Sequence, residues 1–203
     1  MRTKTVTPPD IEPVSIDEVI YHARIDSYNQ EGYEESVLLK TLIKTAREQA
    51  EHKLNRYLIT QTVDAFFDAF PVCDRLIMLP PVQSIASIKY IDTDGVLQTL
   101  DAANYYLDNS GKASRVGCAY GYTWPASRSQ SGAVIVRFVG GYGDAASDVP
   151  ASIRDWMFLR IKTLYEKRDA LFVAGNAGID DRITDNNFAD GLLDSERVWW
   201  GVL

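Results

Sequence analysis

A long amphipathic pattern between residues 35 and 57 constrains the fold more than any other feature of the sequence. Apolar side chains recur there at spacings of three and four residues, and these are Leu39, Leu42, Ile43, Ala46, Ala50, Leu54 and Tyr57. This spacing is that of one face of an α-helix. The pattern therefore predicts a helix over Glu35–Tyr57 whose apolar face packs against other elements of the chain.

Two further helices are predicted, one on each side of this pattern. Ser15 is followed three positions later by Glu18, which is a capping-box pattern and predicts a helix over Ser15–Arg24. Asp148 and Pro150 are helix-start signals, and apolar residues with helical spacing follow them. The third helix is therefore predicted over Asp148–Arg168.

The composition between these helices is typical of β-structure. Residues 58–139 are rich in Val, Ile, Thr, Tyr and Phe, and turn signals such as Asp94-Gly95 interrupt them. The predicted strands are Ile59–Phe67, Arg75–Leu79, Ile85–Ile91, Leu97–Leu100, Tyr105–Asp108, Ser114–Gly117 and Ala133–Val139. The expected fold class is α+β: a small helical bundle core with an inserted antiparallel β region and a flexible C-terminal arm.

The C-terminal segment differs from both regions. Residues 168–203 carry 3 basic and 7 acidic side chains, and large apolar residues stand near the end of the chain. Such a segment is either an arm that docks on another protein or a tail that packs on its own domain. The first interpretation assigns docking to Phe188, Leu192, Leu193, Trp199 and Trp200, and it divides the chain into a helical core, a β region and an arm. The expected boundaries are 1–57 with 148–170, 58–147 and 171–203, respectively.

The charge pattern argues against tight binding of nucleic acid. The 203 residues include 21 Lys and Arg against 28 Asp and Glu, a net charge of −7, and no segment is a basic patch. A protein that binds nucleic acid through its phosphates needs clustered cations.

No apolar run approaches the roughly 18 residues of a membrane span, and no secretory signal is visible. Cys73 and Cys118 are expected to be reduced thiols.

Catalytic signatures are also missing from the sequence. It contains neither a phosphate-binding loop ending in Gly-Lys-Ser/Thr nor a Gly-x-Ser-x-Gly motif. His22 and His52 are the only histidines, and neither has a partner at zinc-ligand spacing. We therefore expect no enzyme, no cofactor and no metal site. A small hydrolase that uses His52 with Glu48 or Glu51 stays open as an alternative.

Two short motifs resemble ligand loops but have simpler explanations. Asp92-Thr93-Asp94-Gly95 begins like a calcium loop and then departs from the pattern, so a hairpin turn explains it better. Gly140-Gly141-Tyr142-Gly143 follows a predicted strand and precedes a helix, as nucleotide-binding loops do. Nearby acids would repel phosphate, so we interpret this motif as a joint between sheet and helix.

Aromatic residues in the β region suggest a binding surface. They are Tyr105, Tyr106, Tyr120, Tyr122 and Trp124. Such a set can stack on a sugar or a base, so a carbohydrate- or ligand-binding β module is an alternative function. The preferred interpretation is a core plus an assembly surface, in which Tyr120, Tyr122 and Trp124 belong to a candidate interface loop over Ala119–Ser131.

Several short motifs, taken in order, resemble a known family. They are Leu58-Ile59-Thr60-Gln61-Thr62, Leu79-Pro80-Pro81-Val82-Gln83-Ser84-Ile85, Lys89-Tyr90-Ile91-Asp92-Thr93-Asp94-Gly95, the run from Gly132 to Gly143, and Val149-Pro150-Ala151-Ser152-Ile153-Arg154. The set is similar to the head–tail connector (adaptor) proteins of long-tailed bacteriophages and prophages, some of which are labelled possible DNA-packaging proteins. The resemblance covers about residues 14–170.

This resemblance implies a structural protein of the virion neck that is made in the cytoplasm of a bacterial host. Members of the family form a ring below the portal, which extends the DNA channel and joins head to tail. The implied partners are the portal protein, a stopper or tail-completion protein and further copies of the chain, while DNA passes through without specific binding. Such a subunit can be a monomer in solution and close its ring only on the portal. A stopper or tail-completion protein, one ring lower, is the alternative within phage assembly.

Overall fold

The computed structural model describes residues 1–25, 33–71, 75–78, 81–166 and 187–198. The chain divides into two compact units, each built from separate stretches of sequence. The unit that we call the β unit comprises Met1–Asp10, Asn55–Asp144 and Val198–Leu203. The other, which we call the helical unit, comprises Ile11–Leu54 and Ala145–Arg197. The predicted α+β class is confirmed.

The helical unit contains four α-helices among its described residues. They are α1 (Ile16–Ala23), α2 (Tyr33–Leu54), α3 (Ala151–Glu166) and the short α4 (Asn187–Gly191). The capping box at the start of α1 is present, because the Ser15 hydroxyl accepts from the Glu18 amide at 3.2 Å and the Glu18 carboxylate accepts from the Ser15 amide at 2.8 Å. Helix α2 ends earlier than predicted because Asn55 adopts a left-handed conformation with φ of 54°.

The predicted stripe on α2 forms the core of the helical unit. Leu39, Ile43, Ala46, Ala50 and Leu54 are at most 2% exposed. Helix α2 packs on α3, which contributes the buried residues Ile153, Trp156, Met157 and Ile161. These apolar surfaces cover each other, which is the arrangement that an amphipathic helix requires.

A buried arginine joins this core to the segment before α1. Arg47 of α2 is 5% exposed. Its Nε donates to Glu12 at 2.8 Å, and its Nη1 donates to Glu51 at 3.0 Å. A buried guanidinium is tolerated only when carboxylates satisfy it, so Glu12 is held in place on the helical unit.

The β unit consists of two antiparallel sheets. The larger has the order β1-β2-β8-β4-β5 and the smaller has the order β3-β7-β6. The strands are β1 (Arg2–Thr7), β2 (Gln61–Phe67), β3 (Arg75–Met78), β4 (Val82–Ile91), β5 (Leu97–Leu100), β6 (Tyr105–Asp108), β7 (Ser114–Cys118) and β8 (Val134–Gly140). All seven predicted strands are confirmed, with small differences at their ends, and Leu79, the predicted end of the second strand, lies outside the described residues. Strand β1 is not among the predicted strands, because all six of its residues are exposed and it shows no buried alternation.

The core of the β unit joins the two sheets. The larger sheet contributes alternate residues, among them Val63, Val136 and Phe138, and the smaller sheet contributes Met78 and Val116, all of them fully buried. This alternation is the pattern of a sheet with one face packed and the other face toward solvent. The core thus holds β2, β4 and β8 against the smaller sheet.

The Gly140–Gly143 motif is a close backbone junction. The Gly141 amide donates to the Pro81 carbonyl at 2.9 Å, and the Thr60 amide donates to the Gly143 carbonyl at 3.1 Å. Gly141 has φ of 140°, and a Cβ on it would lie 2.5 Å from backbone atoms of Ile59 and Thr60. The motif therefore brings the residues just before β2 and β4 against the end of β8, because only glycine allows this approach. In the chain it follows β8 and precedes α3, which is the position expected of a joint between sheet and helix.

We expect Gly141→Ala to lower the free energy of unfolding by about 3 kcal/mol, because the new methyl group meets backbone that cannot move aside. Gly121→Ala is the matched control, since Gly121 also has positive φ (77°) but nothing lies within 4 Å of the position that a Cβ would take. That control should cost about 1 kcal/mol, from the backbone conformation alone. Urea denaturation of both variants checks the difference, and equal losses would contradict the role of close approach.

Candidate assembly surfaces

The candidate interface loop lies between β7 and β8 and carries a fully exposed aromatic ring at its tip. The Tyr122 amide donates to the Ala119 carbonyl at 3.0 Å, which closes a turn with Tyr120 and Gly121 at its corner. Tyr120 has a relative exposure of 108%. Exposed tyrosine on a well-anchored loop is typical of protein–protein contact residues.

Behind this tip, the other aromatic residues of the loop pack into the β unit. Trp124 stacks on Phe70 with ring centroids 4.8 Å apart, and Phe70 meets Tyr90 edge-on at 5.5 Å. Tyr122 and Trp124 both pack against the core. The Trp124 Nε1 is buried without a hydrogen-bond partner among the described residues. These side chains anchor the loop and leave Tyr120 exposed at its tip.

The five aromatic residues do not form one open stacking platform. One face of Trp124 is covered by Phe70, and Tyr105 and Tyr122 pack against the core. The ring of Tyr106 lies over Gly117, so close that a Cβ there would be 2.7 Å from it. A sugar-binding site needs adjacent exposed ring faces, and this arrangement does not favour the carbohydrate-binding alternative.

Part of the C-terminal segment packs on the helical unit. Ala189 and Leu193 are 6% and 2% exposed, and Leu192 is half-buried. Phe188 is the second residue of α4. Trp199 and Trp200 lie outside the described residues. Leu193, one of the five predicted docking residues, is thus already covered by its own chain.

Asp190 ties this segment to α2 and α3. Its carboxylate accepts from Lys53 Nζ at 2.7 Å and from Trp156 Nε1 at 2.9 Å. Burial by itself would raise the pKa of Asp190, but hydrogen bonds from Lys53 and Trp156 and the charge of Lys53 outweigh it, so the pKa is lowered. The ionised carboxylate therefore stabilises the docked position of α4.

The net charge of the chain resides in one unit. The β unit has nine basic and nine acidic side chains and is neutral, whereas the helical unit has 12 basic and 19 acidic side chains and a net charge of −7. Neither unit carries the cationic excess that phosphate binding requires.

Among the residues considered for catalysis or metal binding, Glu51 and Asp92 have structural roles. Glu51 accepts from Arg47, and His52 on the same helix is exposed. Asp92 accepts from the Asp94 and Val96 amides, at 3.0 and 2.8 Å, and from Gln98, which fixes a turn. The hydrogen bonds from Gln98 and Val96 lower the pKa of the Asp92 carboxyl.

Within the described ranges, no group of three or more His, Cys, Asp or Glu side chains could hold a metal ion. A search of the same residues found no helix with the length and apolarity to cross a membrane.

No protein-family model matches the chain, and no curated protein matches it significantly. Solved structures of similar fold exist. A chain in the neck of an empty gene transfer agent (GTA) particle computed with C6 symmetry has a TM-score of 0.77 and 21% identity, covering 98% of this chain and 96% of that one. A chain in the virion of the native particle has a TM-score of 0.73 and 22% identity, with the same coverage.

A third similar chain comes from the neck of the native GTA particle computed with C12 symmetry. Its TM-score is 0.69 and its identity is 18%, and the match covers 98% of this chain and 96% of that one. At this level of identity the similarity establishes a shared fold. Because nearly the whole chain is covered, the shared fold includes both the β unit and the helical unit.

We expect Asp190→Asn to lower the free energy of unfolding at pH 7 by about 1 kcal/mol, because it removes the ion pair with Lys53 while an amide oxygen can still accept from Trp156. The folded-state pKa is below the ordinary value of 3.8, so the stabilisation is present above pH 3.8 and is lost as the pH falls through the folded-state pKa.

Urea unfolding of the variant and the wild type at pH 7 and near pH 3 measures this difference. Asp194→Asn is the control, because Asp194 is exposed and should change stability little at either pH. A deficit of Asp190→Asn that persists unchanged at pH 3 would contradict the role of the carboxylate charge.

Proposed function

We propose that this protein is a structural subunit of the neck of a phage-like particle, where it forms the connector (adaptor) ring between head and tail. The observation that carries the proposal is the fold similarity to GTA neck chains over 98% of the sequence. The order of motifs in the sequence supports the same conclusion independently, since it resembles connector proteins. That resemblance favours the connector position over the stopper or tail-completion position.

The proposed ring requires contacts between unlike surfaces. The GTA necks were computed with C6 and C12 symmetry. In a cyclic ring each copy presents one surface to one neighbour and a different surface to the other neighbour. The exposed Tyr120 on its anchored loop suits such a contact, with Tyr122 and Trp124 fixing its position.

The charge distribution suits a wall around a DNA channel. Phosphates move past a neutral or acidic wall without being retained, whereas a basic wall would bind them. The β unit is neutral and the helical unit is acidic. We therefore propose that DNA passes through the ring without specific binding.

The proposed partners are the portal protein on one side and a stopper or tail-completion protein on the other. The candidate docking residues of the C-terminal segment are Phe188, Leu192, Leu193, Trp199 and Trp200. Leu193 is buried and Asp190 is bonded to the helical unit, so in our proposal Leu193 holds the base of the arm. The remaining apolar residues, above all Trp199 and Trp200, would contact the portal or a neighbouring subunit.

We expect that inactivating the gene will leave heads filled with DNA but without attached tails, because the ring that joins the two is missing. Electron microscopy of particles from the mutant, with a plasmid-borne wild-type gene as the control, measures this. Normal tailed particles in the mutant would contradict the proposed function.

For the arm, we expect removal of residues 199–203 to weaken binding to the purified portal by at least about tenfold, because a Trp at an interface commonly contributes more than about 1.4 kcal/mol. This truncation keeps the buried Leu193 and Val198, so the thermal unfolding temperature should be unchanged. Portal binding equal to that of the full chain would exclude the arm while leaving the ring proposal intact.

A further inference from the structure

Strand β1 is attached to the β unit through its backbone and through one exposed side chain, Arg2, which donates to Ser131 Oγ at 2.7 Å and to Asp68 at 3.2 Å. It lies at the edge of the larger sheet and pairs antiparallel with β2, with Thr3 opposite Ala65 and Lys4 opposite Asp64. All six of its residues are exposed. The ion pair between Arg2 and Asp68, at 3.2 Å, has both side chains more than 60% exposed, and such a pair contributes little. The strand therefore has no buried side chain that would commit it to its own subunit.

The linker between β1 and Glu12 is short and stiff. Thr7 is the last residue of the strand, and Glu12 is held at 2.8 Å from Arg47 of the helical unit. The intervening residues are Pro8, Pro9, Asp10 and Ile11. Prolines fix φ and extend the backbone. From Thr7 to Glu12 this linker spans at most about 18 Å.

The edge of β2 offers this strand a specific register. Asp64 lies opposite Lys4 on one side and opposite Arg137 of β8 on the other. Arg137 donates to both carboxylate oxygens of Asp64, at 2.7 and 2.8 Å, and so fixes the acid in place. An opposite-charge pair across an antiparallel ladder favours one register over a shifted one.

We propose that in the assembled ring β1 is exchanged, so that the strand of each subunit pairs with β2 of the next. The inference rests on the proposed ring. Every copy offers the same β2 edge, so exchange preserves each backbone bond and the Lys4–Asp64 pairing. A short hinge loop is a feature that invites exchange between identical subunits. A head-to-tail exchange of this kind closes when the ring closes.

Engineered disulfides distinguish the two pairings. The double variant Thr3→Cys with Ala65→Cys places thiols on directly opposed residues, in a background where Cys73 and Cys118 are replaced by Ser. In an antiparallel ladder the Cα–Cα distance of opposed residues alternates between a shorter and a longer value. The second double variant, Arg2→Cys with Phe66→Cys, therefore tests the neighbouring opposed pair, which has the other distance. Each variant is oxidised as the free chain and as the ring assembled on portal, and is then separated on a non-reducing denaturing gel.

If β1 is exchanged in the ring, the oxidised free chain forms an intrachain disulfide and runs as a monomer. The oxidised ring forms disulfides between neighbouring subunits and runs as a ladder of covalent multimers. The single variant Thr3→Cys should give no ladder. Assembled rings with only intrachain disulfides would overturn the exchange and leave the proposed function standing. Failure of the wild-type chain to form any ring on the portal would instead count against the proposed function.

A deletion decides the case in which neither disulfide forms. Removal of residues 1–7 takes away no buried side chain, so the truncated chain should stay folded by circular dichroism. We expect it to form no rings under conditions in which the full chain does. Normal rings from the truncated chain would overturn the exchange.

Discussion

The close backbone contact at Gly141 is the constraint on which the arrangement of the β unit depends. The amides of Gly141 and Tyr142 donate to the carbonyls of Pro81 and Leu58, respectively, both at about 3 Å. The residue just before β4, the approach to β2 and the exit from β8 therefore meet at one point. A side chain there would separate them. With this junction in place, the core of Val63, Val136 and Phe138 can close over the smaller sheet.

Elements with a buried face could be predicted from the sequence, and elements without one could not. The stripe on α2 and most of the predicted strands show periodic apolar residues because one side is buried. Strand β5 differs, since only Leu100 is buried there, and it follows the Asp94-Gly95 turn signal. Strand β1 has no such period, since its side chains are all exposed and its pairing depends on backbone bonds to residues more than 50 positions away. The end of α2 at Leu54 depends on the left-handed Asn55, which a propensity argument does not reveal.

In the candidate site, too, residues could be identified from local sequence, whereas their contacts could not. The loop carrying Tyr120, Tyr122 and Trp124 could be identified from its composition. Which of these aromatics is exposed depends on Phe70, which covers Trp124 from a position more than 50 residues earlier. Likewise, the acidic composition of the C-terminal segment does not reveal that Asp190 accepts from Trp156 and Lys53. Side-chain partners distant in sequence decide what each candidate residue does.

The placement of β1 also bears on how the protein is made. During synthesis β1 leaves the ribosome first, and residues 8–60 follow before its partner β2. Strand β2 also pairs with β8, residues 134–140, which are synthesised later still. At about 5–20 residues per second, the delay between β1 and β8 is on the order of ten seconds. Until β2, residues 61–67, has been synthesised, the strand has no partner in its own chain. Its two cations and following prolines are the features that keep such a segment from aggregating before its partner exists.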